Sequence, residues 1–158
     1  YFSDEEVAIS PRDMGIRLHR AFETASTRDE IFENLNSMTL GGEMSTDEAN
    51  ELREKIESVL NTTVAGEWFD GSWERLYCER KIVSKRGVQD QTPNFKSQRP
   101  DRVMTRGKEA VVVDYKFGRE NNGHKEQIEH YMSVLGEMGY TSIKGYIWYV
   151  SQEKIVQI

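Results

Sequence analysis

One cysteine, Cys78, stands in a chain of 158 residues, so an intrachain disulfide, a four-cysteine zinc site and a four-cysteine iron–sulfur cluster are all excluded. Any metal must rest on oxygen or nitrogen ligands. No apolar run approaches the roughly 20 residues needed to cross a bilayer. The acidic N-terminus also lacks the basic and apolar regions of a secretory signal. These absences lead to the expectation of a cytoplasmic chain with no membrane partner. The first residue is Tyr1 and not Met, as expected of a piece cut from something longer or of a trimmed chain. No internal repeat or low-complexity tract is present.

What is there suits one folded domain. Charged residues make up 30% and hydrophobic residues 37%, with aromatics spread along the chain, a balance that buries a core and does not predict disorder. The length fits a single domain over 1–158. The net charge of -6 hides an uneven distribution. Residues 1–79 hold 7 Lys and Arg against 18 Asp and Glu, residues 80–119 hold 11 against 4, and residues 120–158 hold 3 against 5. A basic middle in an acidic chain is the pattern of a face that meets a polyanion. From charge alone, a solvated charged hairpin explains it equally well.

Periodicity divides the chain into helices over 1–61 and a sheet-bearing core over 62–158. Ser10 and Pro11 open a first helix to about residue 25, with Leu18 and Phe22 on one face. Thr27 with Glu30 three residues on makes a capping-box pattern for a short helix through Ile31 and Leu35, ended by Gly41-Gly42. Ser45 to Leu60 carries an apolar stripe of Ala49, Leu52, Ile56, Val59 and Leu60 and predicts a third helix. Trp73 to Val83 then reads as one strand, and 84–98 as a long hairpin connection. Arg99–Thr105 and Ala110–Tyr115 flank Arg106-Gly107-Lys108-Glu109, a second hairpin. A helix from His124 to about Gly139 and a strand from Ile143 to Val150 follow. Helices, antiparallel strands, helix, strand: the order predicts an α/β sandwich with a mixed sheet.

Asp114 and Lys116 lie two apart on a predicted strand, so their side chains leave the same face. A carboxylate there can hold Mg2+, and the ammonium beside it can position a water or stabilise charge building on a phosphate. An Asp-x-Lys triplet is often only a surface ion pair, but this one ends Val111-Val112-Val113, the most apolar strand of the chain. Asp101, 13 residues earlier, falls on the partner strand of the hairpin, where its carboxylate either meets Asp114 across a cation or pairs with Arg99 or Arg102. Gln127 and Tyr131 share a helix face four residues apart, facing either the site or ordinary boundary surroundings. His19, beside Leu18, is either a packed imidazole or a metal ligand.

Taken in order, Arg99-Pro100-Asp101-Arg102, Val113-Asp114-Tyr115-Lys116 and Gln127 to Tyr131, preceded by Gly15 to Glu23 as a Gly-x-x-x-His helix, resemble the RecB-like nuclease domain of the PD-(D/E)XK superfamily. That domain forms the C-terminus of UvrD-type helicase–nucleases. The resemblance spans about residues 14–150. It implies a restriction-endonuclease-like core with an N-terminal helical segment, and a metal-dependent DNA exonuclease. It implies His19, Asp101, Asp114 and the backbone carbonyl of Tyr115 as ligands to Mg2+ or Mn2+, and Lys116 as the catalytic lysine. Gln127 and Tyr131 then hold the site and the DNA strand, and Lys85, Arg86, Arg102 and Arg119 are the expected phosphate contacts. Glu79 resembles an acid often found before the basic hairpin. With one cysteine the chain has no iron–sulfur cluster. With no Walker-type loop, the implied partner, a helicase domain, would lie elsewhere in the parent chain or complex.

Two other readings compete. A catalytically inert nuclease fold could serve as a DNA-binding or structural module of a helicase complex, though two clustered carboxylates without a metal would repel the phosphates it must hold. Alternatively, the acidic N-terminal helices dock a protein partner.

Overall fold

A computed structural model describes residues 10–78, 81–84 and 99–158. Among the described residues four helices come first. In α1 (Pro11–Phe22) the Ser10 side chain accepts the Asp13 N–H and proline occupies the first turn, where a missing donor costs nothing. In α2 (Arg28–Leu40) the Thr27 hydroxyl accepts the Glu30 N–H, but the Glu30 carboxylate reaches back to the Ser26 N–H. In α3 (Thr46–Leu60) Ser45 and Glu48 form a complete capping box, and the five residues of the predicted stripe are all buried. A short α4 (Thr63–Trp68), capped by Thr62, was not legible in the aromatic, β-branched composition of this stretch.

The strands are β1 (Arg75–Cys78), β2 (Lys81–Ser84), β3 (Arg102–Arg106), β4 (Glu109–Lys116), β5 (Ser142–Tyr149) and β6 (Lys154–Gln157). They form one sheet in the order β2-β1-β3-β4-β5-β6. Only β4 and β5 run parallel, joined by the crossover helix α5 (Asn122–Glu137). The sheet is therefore mixed, as expected. The single strand read over Trp73–Val83 is instead two, β1 and β2, antiparallel with Cys78 opposite Lys81. No Gly, Pro or Asn stands between the two arms in the sequence to announce the reversal. The predicted connection beyond Ser84 lies outside the described residues. The edge strand β6, too short to show a period, went unread.

Two cores lie on the two faces of the sheet. One packs α1–α4 against Met104, Val111, Val113, Tyr115 and Trp148. The other packs Ile128, Tyr131 and Leu135 of α5 against Val103, Val112 and Ile147. Strand alternation assigns every residue of β4 to one of these layers: Val111, Val113 and Tyr115 point toward α1, while Ala110 and Val112 point toward α5. By the same alternation Asp114 and Lys116 belong to the α5 face. Phe22 fixes α1 on the sheet through ring contacts with Tyr115 at 4.9 Å and Trp148 at 5.0 Å. On the other face α5 approaches closely over Gly145, where a Cβ would stand 2.5 Å from Ile128. Among the described residues no helix is long and apolar enough to cross a membrane.

Candidate active site

The β3–β4 hairpin places the two aspartates. Arg102 pairs with Val113 and Arg106 with Glu109 around a turn in which Gly107 takes φ 54°, so Asp101, just outside the ladder, falls opposite Asp114. The main chain then joins them. The Asp101 N–H donates to Asp114 Oδ1 at 2.9 Å, and the Tyr115 N–H donates to Asp101 Oδ2 at 2.8 Å. His19, carried by α1 from the far layer, brings Nδ1 to 3.1 Å from Asp101 Oδ1. Asp101 is thus the bridge between the layers.

On the α5 side, Lys116 Nζ stands 3.4 Å from Asp114 Oδ2 and donates to Gln127 Oε1 at 3.1 Å. Gln127 Nε2 in turn donates to the Tyr131 hydroxyl at 2.8 Å. His19, Asp101, Asp114, Tyr115, Lys116 and Gln127 line one open cleft of about 640 Å³. Tyr131 sits behind it, buried in the core. The Asp101 carboxylate meets His19 and the Tyr115 N–H.

Burial, and next the neighbouring Asp101 charge, push the Asp114 carboxyl up to about 6; Lys116 and the Asp101 N–H act against this. Burial and the Asp114 charge push the Tyr131 hydroxyl up to about 12, keeping it protonated as a partner for Gln127. Two carboxylates and an imidazole suit a hard divalent cation in kind. A dication would also relieve the electrostatic strain on Asp114. Among the described residues no three His, Cys, Asp or Glu side chains are already gathered around one point. The donors present fit the ion, and the ion would have to draw them together.

Two expected phosphate contacts stand elsewhere. Arg102 is 1% exposed, donates to the carbonyls of Ala25 at 2.6 Å and Trp68 at 2.8 Å, and stacks 4.1 Å over the Phe69 ring. It shares the face of Val113, toward the helices, and does not reach a bound strand; the expectation of a phosphate contact is corrected. Arg119 is exposed in the β4–α5 loop and is not among the residues lining the cleft. Glu79, Lys85 and Arg86 lie outside the described residues.

The sequence reading passed over Arg12, Ile16, Arg20 and Glu23, which line the cleft together with His19. The signal was available, since the four fall at three- and four-residue steps along the same helix. Gly15, Phe117, directly after Lys116, and Arg99 complete the lining.

A family model described as the PD-(D/E)XK nuclease superfamily matches residues 3–157. No curated protein matches the chain.

Proposed function

The chain belongs to the PD-(D/E)XK nuclease superfamily, and from that premise we propose that it is a Mg2+- or Mn2+-dependent DNA exonuclease, the nuclease module of a DNA-repair or recombination helicase–nuclease. The match and the mixed sheet with flanking helices make the fold restriction-endonuclease-like. The observation that carries the activity is the chain of ion-pair and hydrogen-bond contacts His19–Asp101–Asp114–Lys116–Gln127 along one cleft. A structural ion pair would need only Asp114 and Lys116.

His19, Asp101, Asp114 and the Tyr115 carbonyl would hold the cation, whose chemistry when bound is to polarise a phosphodiester and lower the pKa of water. The protein's own part is positioning. The Asp101 and Tyr115 N–H groups fix one oxygen of each carboxylate, and His19 and Lys116 meet the other, so both acids are held in orientation. Lys116, held between Asp114 and Gln127, places an ammonium where negative charge develops on the phosphate as water displaces the leaving oxygen. Gln127, secured by Tyr131, stops Lys116 from collapsing fully onto Asp114. The helicase partner and the repair role rest on the resemblance to RecB-like nuclease domains, carried by the order of the sequence motifs.

The test is cleavage of end-labelled linear DNA beside a covalently closed circle of the same sequence. The proposal expects Mg2+- or Mn2+-dependent loss of the linear substrate alone, abolished in Asp114→Ala and Lys116→Ala proteins that keep their circular dichroism. Full activity in both variants, or none in the wild type with either metal, sinks it. Cutting of the circle would retain the nuclease and remove the exonuclease.

A further inference from the structure

The cleft is not uniform along its length. Because α1 advances about 1.5 Å per residue, Arg12 lies roughly 10 Å along the helix axis from His19, the span of one to two nucleotides of an extended strand. Between them stands Ile16, 52% exposed on the cleft wall. Phe117, packed on the core but only partly buried, lines the same cleft against α1. The ring sits close because residue 15 is glycine: a Cβ there would be 3.0 Å from Phe117 Cδ2. The other end of the stripe is acidic, at Glu23. Four cations line the cleft, and two are already engaged: Arg20 with Glu43, and Lys116 with Asp114 and Gln127. Arg12 and Arg99 are exposed and have no ion-pair partner among the described residues.

An apolar pair flanked by uncommitted guanidinium groups suits a nucleotide whose base is unpaired, its face on Ile16 and Phe117 and its phosphate on Arg12. A paired base, stacked within a duplex, has no free face to offer. We propose that Arg12, Ile16, Phe117 and Arg99 form a subsite for the single-stranded nucleotide flanking the scissile phosphate. The subsite makes the cleft selective for an unpaired strand end. This deepens the nuclease reading and rests on it for the position of the scissile phosphate.

The test is equilibrium binding, by fluorescence anisotropy, of the wild type and the Ile16→Ala, Arg12→Ala and Arg12→Ala/Arg99→Ala variants, with Ca2+ in place of Mg2+ and Mn2+ so that the two carboxylates are screened and no strand is cut. The probes are a labelled single-stranded oligonucleotide, its blunt duplex, and single strands with one phosphate replaced by methylphosphonate at successive positions. Ile16 and Arg12 are exposed, so their truncation spares the core. The expected result is a loss of about 10-fold in single-strand affinity for Ile16→Ala, from the apolar contact removed, with duplex affinity unchanged. Arg12→Ala should weaken the native strand but not the strand whose methylphosphonate already removes the phosphate Arg12 meets. Its salt slope should fall by about 0.7. Wild-type binding in both single variants, equal losses on strand and duplex, or no binding by the wild type overturns the subsite. If the wild type shows the expected binding pattern yet cuts nothing in Mg2+ or Mn2+, the nuclease reading fails and the subsite stands. If it cuts while the variants bind normally, the reverse holds.

Discussion

Asp101 and Asp114 face each other across the β3–β4 hairpin, and the link between them is a main-chain donor: the Asp101 N–H meets Asp114 Oδ1 at 2.9 Å. Two acids are thereby held side by side in a partly buried site, with Lys116 as the nearest counter-charge to Asp114 at 3.4 Å.

That arrangement has a pH signature. The Asp114 carboxyl is raised from 3.8 to about 6, chiefly by burial. Between these values the native state keeps a proton that the unfolded chain has released, so stability falls as pH rises through the window and levels off above it. In chelator-treated protein the decrease from this group should be about 2–3 kcal/mol, read from urea midpoints between pH 4 and 7. Asp114→Asn, which keeps an acceptor for the Asp101 N–H, should flatten that slope. An unchanged slope in the variant would remove Asp114 as its source.

His19 reaches across from α1 to Asp101 at 3.1 Å. His19→Ala should raise the Mg2+ or Mn2+ concentration for half-maximal cleavage by about 10-fold or more, while excess metal recovers much of the rate. A variant with the wild-type metal requirement would make His19 a packing residue.

Arg102 should behave as scaffold. Its guanidinium satisfies the Trp68 carbonyl at the C-terminal end of α4 and the Ala25 carbonyl in the α1–α2 connection, two buried acceptors in place of a carboxylate. Arg102→Met leaves both oxygens buried without a donor and should cost about 2–4 kcal/mol in chemical denaturation. At temperatures where the variant remains folded, the salt dependence of DNA binding should match the wild type. A slope lowered by about one counterion would return Arg102 to the phosphate contacts.

Gly145 sets the depth at which α5 sits on the sheet. An added Cβ would lie 2.5 Å from Ile128 Cγ2 and 2.6 Å from Met132 Sδ. Ile128 directly follows Gln127, so Gly145→Ala pushes on the residue that steadies Lys116. We expect a loss of about 1–3 kcal/mol, with Tm down by several degrees, and lower kcat in the surviving folded protein. Wild-type Tm and kcat together would show that α5 shifts freely.

Much of this was open to reading before any coordinates. The period-2 step from Asp114 to Lys116 and the turn at Gly107 were enough to place both aspartates at one end of a hairpin, because register follows from loop length. The same rule, applied one residue further, would have turned Arg102 away from Asp101, since adjacent strand residues face opposite sides. Arg12 and Ile16 were likewise within reach of the helical period that located His19.

Local pattern thus determined α1–α3, α5, β5, the β3–β4 hairpin register and which side chains share a face, because these depend on backbone geometry over a few residues. Only the tertiary structure decided that His19 meets Asp101, 82 positions away in the chain, that Arg102 is closed off against the Ala25 and Trp68 carbonyls, and that Lys116 leans on Gln127. Those outcomes depend on how two helical layers settle on opposite faces of the sheet. That settling is governed by the packing of Phe22 on Tyr115 and of Ile128 over Gly145, contacts that no local period records.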